Sequence, residues 1–152
     1  MEHTPIILLT TDGSPDSLCA LGPTVALARR MRGRILFVSV VADPPPPGVP
    51  SDPFAPPPWL TDRDAEAQVI ATRRRLEGIV AQVGPGPDIE PVVLRGENVA
   101  AVISSLAAVR GVDFIAMASH GRRGLQRVLL GSVTESVVRR ASVPVIVFPV
   151  AT

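Results

Sequence analysis

An α/β fold, built as an open five-stranded parallel sheet with helices on both faces, is the architecture predicted by this sequence of 152 residues. Three observations predict it. Short apolar runs recur without the in-and-out alternation of a half-exposed strand. Segments of helical period separate them. The strand–helix alternation then persists to the end of the chain. At this length folding buries roughly 68–70% of the surface of the unfolded chain, so a single domain over 1–152 needs no disulfide or metal staple. With 46% hydrophobic and 19% charged residues the chain is far from the composition of disordered sequences.

The first strand is the β-branched and aliphatic run 6–10, which stops at Asp12-Gly13-Ser14-Pro15, a turn sequence. Leu18, Leu21, Val25, Leu27 and Ala28 follow at helical spacing, and Gly22-Pro23 predicts a kink within that helix. Gly33 is the expected stop. Residues 34–41 (RILFVSVV) form the second strand. Between 43 and 58 there are nine prolines, so an extended insert is expected there. Thr61 caps a helix predicted to reach about Val83, with Ala65, Val69, Leu76, Ile79 and Val80 on one side and Arg73, Arg74 and Arg75 largely facing water. Gly84-Pro85-Gly86-Pro87 ends it. The run 89–94 is a third strand, and its Pro91 demands the strand's start or an edge. A helix from 96–98 to about Val109 stops at Arg110-Gly111, and 112–117 (VDFIAM) is the fourth strand. Ser132 opens the last helix, to about Ala141, and 143–150 (VPVIVFPV) is the fifth strand.

Charge and composition narrow the chemistry. Fifteen basic against fourteen acidic residues leave +1, so no global field recruits nucleic acid or an anionic membrane. All fifteen are Arg. The absence of Lys excludes a Walker A lysine, a Schiff-base lysine, a protein-kinase lysine and the lysine of a receiver domain. Cys19 is alone, so an internal disulfide and a cysteine metal cluster are excluded and a reducing cytoplasm is the expected compartment. The first residues carry an acid and lack a basic segment followed by a long apolar run. No signal peptide is expected, and no uninterrupted apolar stretch suits a membrane span.

Ligands of open α/β sheets bind at the carboxyl ends of the strands where the winding reverses. Three segments qualify: 10–14, 40–43 and 118–132. In the third, glycines at 121, 124 and 131 let amide groups approach an anion, and Gly131-Ser132 lies at a helix start, where orphan N–H groups and the helix dipole favour phosphate. Residues 120–140 carry five arginines against one glutamate, Glu135. The competing reading is structural: Ser132 and Glu135 form a capping box, S-V-T-E, and the glycines are turns.

A strand ending in ASHG, nine residues (RRGLQRVLL), then GS and a helix resembles the nucleotide signature of the universal stress protein family, glycine, two residues, glycine, nine residues, glycine and serine or threonine. IILLTTDGSPDS resembles that family's first strand and turn, FVSVVAD its second strand, and RRASVPVIVFP its last helix and strand, so the likeness covers nearly everything except the proline-rich insert. It implies a Rossmann-like, adenine nucleotide alpha hydrolase-like fold that binds ATP with Mg²⁺ and acts as a regulatory homodimer in a stress response, with little or no catalysis. The implied site comprises Thr10, Thr11, Asp12 and Gly13; Val40; Ala118, Ser119, His120, Gly121, Arg122 and Gly124; and Gly131, Ser132 and Val133. Within it Asp12 contacts the adenosine or ribose, the Val40 backbone reads adenine, and Gly121, Gly131 and Ser132 hold ribose and phosphates. Ala118 stands where the signature has its first glycine, which implies weakened or adjusted binding. In the resembling family the last strand pairs with its symmetry mate, implying a two-fold dimer through 143–148.

Two other functions fit parts of the sequence. Asp12-Gly13-Ser14-Pro15-Asp16-Ser17 partly resembles the SGGxDS loop of adenylating ATP pyrophosphatases, failing at the first position and the second glycine. Alternatively Ala118 abolishes nucleotide binding and the loop around Trp59 recruits a protein partner. Single residues have plainer readings too. Asp12 is a turn former, His120 is a loop residue with no evident carboxylate partner, His3 belongs to a loose terminus, and Cys19 packs on a helix face.

Overall fold

The computed structural model describes residues 3–43, 61–120 and 130–150. The expected extended insert beyond Asp43, with Trp59 beside it, lies outside them. The chain runs β1 (Ile6–Thr10), α1 (Pro15–Leu18), α2 (Leu21–Met31), β2 (Arg34–Ala42), α3 (Asp62–Gln82), β3 (Ile89–Gly96), α4 (Val99–Val109), β4 (Phe114–Ala118), α5 (Ser132–Arg140) and β5 (Val145–Phe148). The strands form one five-stranded sheet in the order β3-β2-β1-β4-β5, every pair parallel.

The pleat explains why the strands read as continuous apolar runs. Ile7, Leu9, Ile35 and Phe37 face the side covered by α2 and α3, with Val25, Ala28 and Leu76. Their alternates Leu8, Leu36, Val38 and Ile115 face the side of α4 and α5, with Ile103 and Val137. Both faces of the central strands are therefore dry. Pro91 sits in the edge strand β3. Ile35 donates to the Asp88 carbonyl at 2.8 Å and Asp43 to the Gly96 carbonyl at 3.1 Å, so even-numbered β3 residues turn their polar groups to β2. The nitrogen of Pro91, opposite Phe37 in the register, is thereby on the open side, where a missing donor costs nothing.

Local chemistry shifts several boundaries. The helix predicted with a kink at Gly22-Pro23 is instead two helices. Ser14 caps the short α1, accepting from the Ser17 amide at 3.1 Å, and α2 begins at Leu21. Gly22 and Pro23 fall in the first turn of α2, where proline's missing N–H has no helical partner to lose. The stop of α2 is made at Arg32, in the left-handed region at φ 52°, rather than by Gly33. The Gly33 amide reaches back to the Ala28 carbonyl at 2.9 Å and Arg32 to Arg29 at 3.3 Å, the bonding of a Schellman cap. Gly33 is needed for a different reason, since a Cβ there would lie 2.7 Å from the Pro5 carbonyl oxygen. Thr61 and Asp64 form a reciprocal capping box at the start of α3. Arg95 of β3 bonds Asp43 at 2.8 Å and Asp62 at 2.9 Å, tying together the residues on either side of the insert.

The amino-terminal segment is fastened, contrary to expectation. Asp113 accepts from the Ile6 amide at 2.8 Å and from the His3 ring at 2.8 Å. The Ile6 amide, and after it His3, hold the Asp113 carboxyl below its ordinary range. A carboxyl with a depressed native pKa stabilises the fold above the unfolded-state value of about 3.9, and loses that contribution as pH falls through the native value. Thermal melts of wild type and Asp113→Asn should therefore differ between pH 5 and pH 7, about 1–3 units above that value, and converge below about pH 4. A constant gap down to strong acid would refute the linkage.

Candidate functional site

The winding reverses between β1 and β4. From β1 the chain proceeds outward to β2 and β3, then returns to the other side of β1 to build β4 and β5. The carboxyl ends of β1 and β4 diverge into loops on opposite faces and leave a crevice between them. Ile7, Leu8 and Leu9 pair with Phe114, Ile115 and Ala116, so Thr11 and Asp12 emerge at the level of Ala118 and Ser119.

The turn after β1 is heavily bonded. The Thr11 amide donates to the Val38 carbonyl at 2.9 Å, extending the β1–β2 ladder by one bond. Thr10 and Thr11 are buried. The Thr11 hydroxyl oxygen accepts from the Gly13 amide at 2.9 Å and lies 2.7 Å from the Ser17 hydroxyl. Asp12 is exposed, and its Oδ1 accepts from the Ser14 amide at 2.9 Å, closing an Asx turn. The turn-forming role and an outward-facing carboxyl group thus coexist in one residue. Gly13 adopts φ 79°, a conformation that a Cβ disfavours.

Arg75 is exposed, as expected, and it also makes a contact that its helical position does not announce: its guanidinium lies across the turn, donates from Nη2 to the Gly13 carbonyl, and lines a shallow pocket with Gly13, Ser14, Pro15 and Asp16. Helical period places Arg75 on the outer half of α3, and nothing in that period shows the end of β1 lying within its reach.

Val40 completes this side of the crevice through its backbone. Arg34 donates to Pro5 at 2.9 Å and the Val38 carbonyl accepts from Thr11, so even-numbered β2 residues turn their polar groups toward β1. Val40 lies beyond the last register pair, Thr10 with Val38, and presents its N–H and C=O past the end of β1.

On the other side, β4 ends in a hub of hydrogen bonds. The Ser119 amide donates to Phe148 at 2.8 Å, its carbonyl accepts from Gly131 at 2.8 Å, and its hydroxyl oxygen accepts from Val150 at 3.1 Å. The Thr134 hydroxyl donates to the Ala118 carbonyl at 3.0 Å. Gly131 and Thr134 therefore pin the amino end of α5 against the end of β4. Ala118 is buried among the core residues of the α2–α3 side, so its methyl group is accommodated within packed structure. His120 Nδ1 lies 3.0 Å from the Ser119 hydroxyl, while its Nε2 is shielded from solvent without a hydrogen-bond partner among the described residues. Gly121, Arg122 and Gly124 lie outside the described residues.

The S-V-T-E capping box is absent. Gly131, whose amide is held by the Ser119 carbonyl, is the N-cap of α5 and has no side-chain cap, so the helix starts at Ser132, one residue earlier than the box requires. Ser132 and Val133, both exposed, occupy the first helical positions, and Glu135 pairs with Arg139 at 2.7 Å instead. The N-cap residue of α5 thus offers no side-chain acceptor to the first N–H groups, which lie at the positive end of the helix dipole. Cys19 packs against the core and burial raises its thiol pKa.

Backbone amides in a positive-φ turn, an uncapped helix amino end and a strand edge beyond its last pair, gathered at one switch point, are suited to a ligand carrying both a hydrogen-bonding ring and an anion. The Universal stress protein family profile matches residues 4–149. The chain belongs to the universal stress protein family.

Among its relatives, Universal stress protein MJ0531 of Methanocaldococcus jannaschii is 27% identical over 146 residues, 93% of this chain and 79% of that one. Universal stress protein MJ0577 of the same organism is 49% identical over 45 residues, which span 30% of this chain and 28% of that protein. The solved structure of MJ0577 superposes with a TM-score of 0.73 at 23% identity, covering 97% of both chains. A universal stress protein in complex with cAMP gives 0.66 at 20% identity, covering 99% of this chain and 100% of that one. The universal stress protein of Archaeoglobus fulgidus in complex with dAMP gives 0.62 at 19% identity, covering 97% and 98%. These likenesses establish a shared fold for the universal stress protein described here.

Proposed function

We propose that this universal stress protein is an ATP-binding regulatory protein whose crevice between β1 and β4 holds the nucleotide. The observation that carries the reading is the meeting of the Asp12-Gly13 turn, the free edge of Val40 and the uncapped amino end of α5 at one place. Relatives of the same fold are complexes with cAMP and dAMP. The Val40 backbone N–H and C=O would read the adenine edge, and Asp12 would accept from a ribose hydroxyl. The amides of Ser132 and Val133 would meet the phosphates, helped by the small residues Gly121, Gly124 and Gly131. Mg²⁺ would arrive on the phosphates and neutralise part of their charge; among the described residues no group of three His, Cys, Asp or Glu side chains is placed to hold a metal.

Holding, not turnover, is the proposed activity. A lysine-free site stabilises phosphates with amides and arginine, and the Nδ1 of His120 is engaged with Ser119, which supports an anchoring role for the ring. The proposed assembly is a homodimer through β5. Ile115 donates to Pro144 at 3.0 Å and Ser119 to Phe148, so even-numbered residues of this strand face β4 and the polar groups of Val145 and Val147 lie on the open edge. Pairing with a second copy would satisfy them. A cytoplasmic setting fits this proposal, and no described helix is long and apolar enough to cross a membrane.

Calorimetry with Mg-ATP, together with mass spectrometry of nucleotide released from the denatured protein, tests the binding. The expected result is stoichiometric binding without pyrophosphate or phosphate release. No heat and no thermal shift with any adenine nucleotide would overturn it. Sedimentation should show a dimer at micromolar concentration, and a monomer there would overturn the assembly.

A further inference from the structure

We propose that Arg75 is a positioning residue for the nucleotide crevice, holding the Asp12-Gly13 turn in its binding-competent orientation from the distant helix α3. This deepens the nucleotide-binding reading and rests on it.

The turn's own hydrogen bonds are local. Gly13 donates to Thr11, Ser14 to Asp12, and Ser17 to Ser14, all within residues 11–17. These bonds set the shape of the turn. The contact from Arg75 adds a tie between the crest of this turn and α3. Arg75 donates to the Gly13 carbonyl across 62 residues of sequence. The register is tight, for a Cβ built on Gly13 would lie 2.7 Å from Arg75 Nη1 and 3.1 Å from Cζ. Glycine at 13 serves the φ of 79°, and the guanidinium, the far end of a flexible side chain, sits close against it. Among the described residues no carboxylate lies within ion-pair distance of Arg75, and the guanidinium donates to a neutral carbonyl, so the contact is directional, not an exchange of charge. Leu76, the neighbouring residue, is 1% exposed and anchors this turn of α3 in the core, giving the guanidinium a rigid base.

Arg75→Met keeps the length and the apolar stem and removes the donors, whereas Arg75→Lys keeps charge with a less directional head. The first measurement needs no ligand. Exchange of the Gly13 and Ser14 amides, followed by NMR, should accelerate about tenfold in Arg75→Met, with the apo melting temperature within about 4 °C of wild type. Unchanged exchange at both amides would overturn the proposal.

The second measurement separates positioning from phosphate binding. Mg-ATP and adenosine should both weaken by a similar factor of about ten in Arg75→Met, with Arg75→Lys recovering part of the loss for each. Loss for ATP with adenosine unaffected would make Arg75 a phosphate contact and overturn the positioning role. If wild type binds neither ligand, the proposed function fails, while the exchange measurement still decides whether Arg75 holds the turn.

Discussion

Truncating Phe37 to alanine should destabilise the protein by about 3–5 kcal/mol, read as a fall in the denaturation midpoint with an unchanged slope. Phe37 is 0% exposed and lies mid-sheet in β2, with Leu9 of β1 and Pro91 of β3 as its register partners. Its ring belongs to the core shared by α2, α3 and the sheet. Strands held in register on both sides and covered by a helix cannot collapse into the void, so the cavity cost adds to the lost transfer free energy. Against a typical total of about 5–15 kcal/mol, a change of that size leaves the variant near its threshold at 37 °C. Phe37→Leu should cost clearly less, because most of the volume is kept. Equal costs for the two replacements would show that the site relaxes and that the sheet is less rigid than its packing indicates.

Gly13→Val should impair both stability and the proposed binding. A β-branched residue at φ 79° is strained, at roughly 1–2 kcal/mol for the left-handed backbone alone. The new Cβ would also displace the Arg75 guanidinium, removing a hydrogen bond that contributes about 1 kcal/mol. Together these give an expected loss of about 2–3 kcal/mol in denaturant unfolding and at least a tenfold weaker Mg-ATP affinity. The two parts can be separated with Gly13→Ala in wild-type and Arg75→Met backgrounds. Without the guanidinium only the backbone strain remains, so the alanine should cost about 0.5–1.5 kcal/mol less in that background. Strict additivity would show that the two residues do not meet in solution.

Much of the candidate site was legible in the chain because its requirements are local. A positive-φ turn after a buried strand announces itself as Asp-Gly, and glycine with serine before an amphipathic segment announces a helix start. Asp12, Gly13, Gly131 and Ser132 were found that way, and the spacing from Ala118 to Ser132 tied them to a family. The capping box at Ser132 failed for a reason no local pattern carries. Ser-Val-Thr-Glu is a competent box in isolation, but the Ser119 carbonyl takes the Gly131 amide and the Thr134 hydroxyl takes the Ala118 carbonyl, which sets the helix start one residue away. His3 was misjudged similarly, since its partner Asp113 is 110 residues away in sequence.

By itself the sequence determined the class of fold, the sequential order of strands and helices, and the residue types offered at each strand end, because periodicity, turn chemistry and the absence of lysine are properties of short stretches. Only the tertiary structure decided which strand ends meet, which backbone edges are left open beside them, and that Arg75 reaches the turn after β1. The physical reason is one of range. Backbone propensity acts over a few residues, whereas the partner of a long cationic side chain is chosen by how helices pack on the sheet, and that packing is a collective minimum of the whole core.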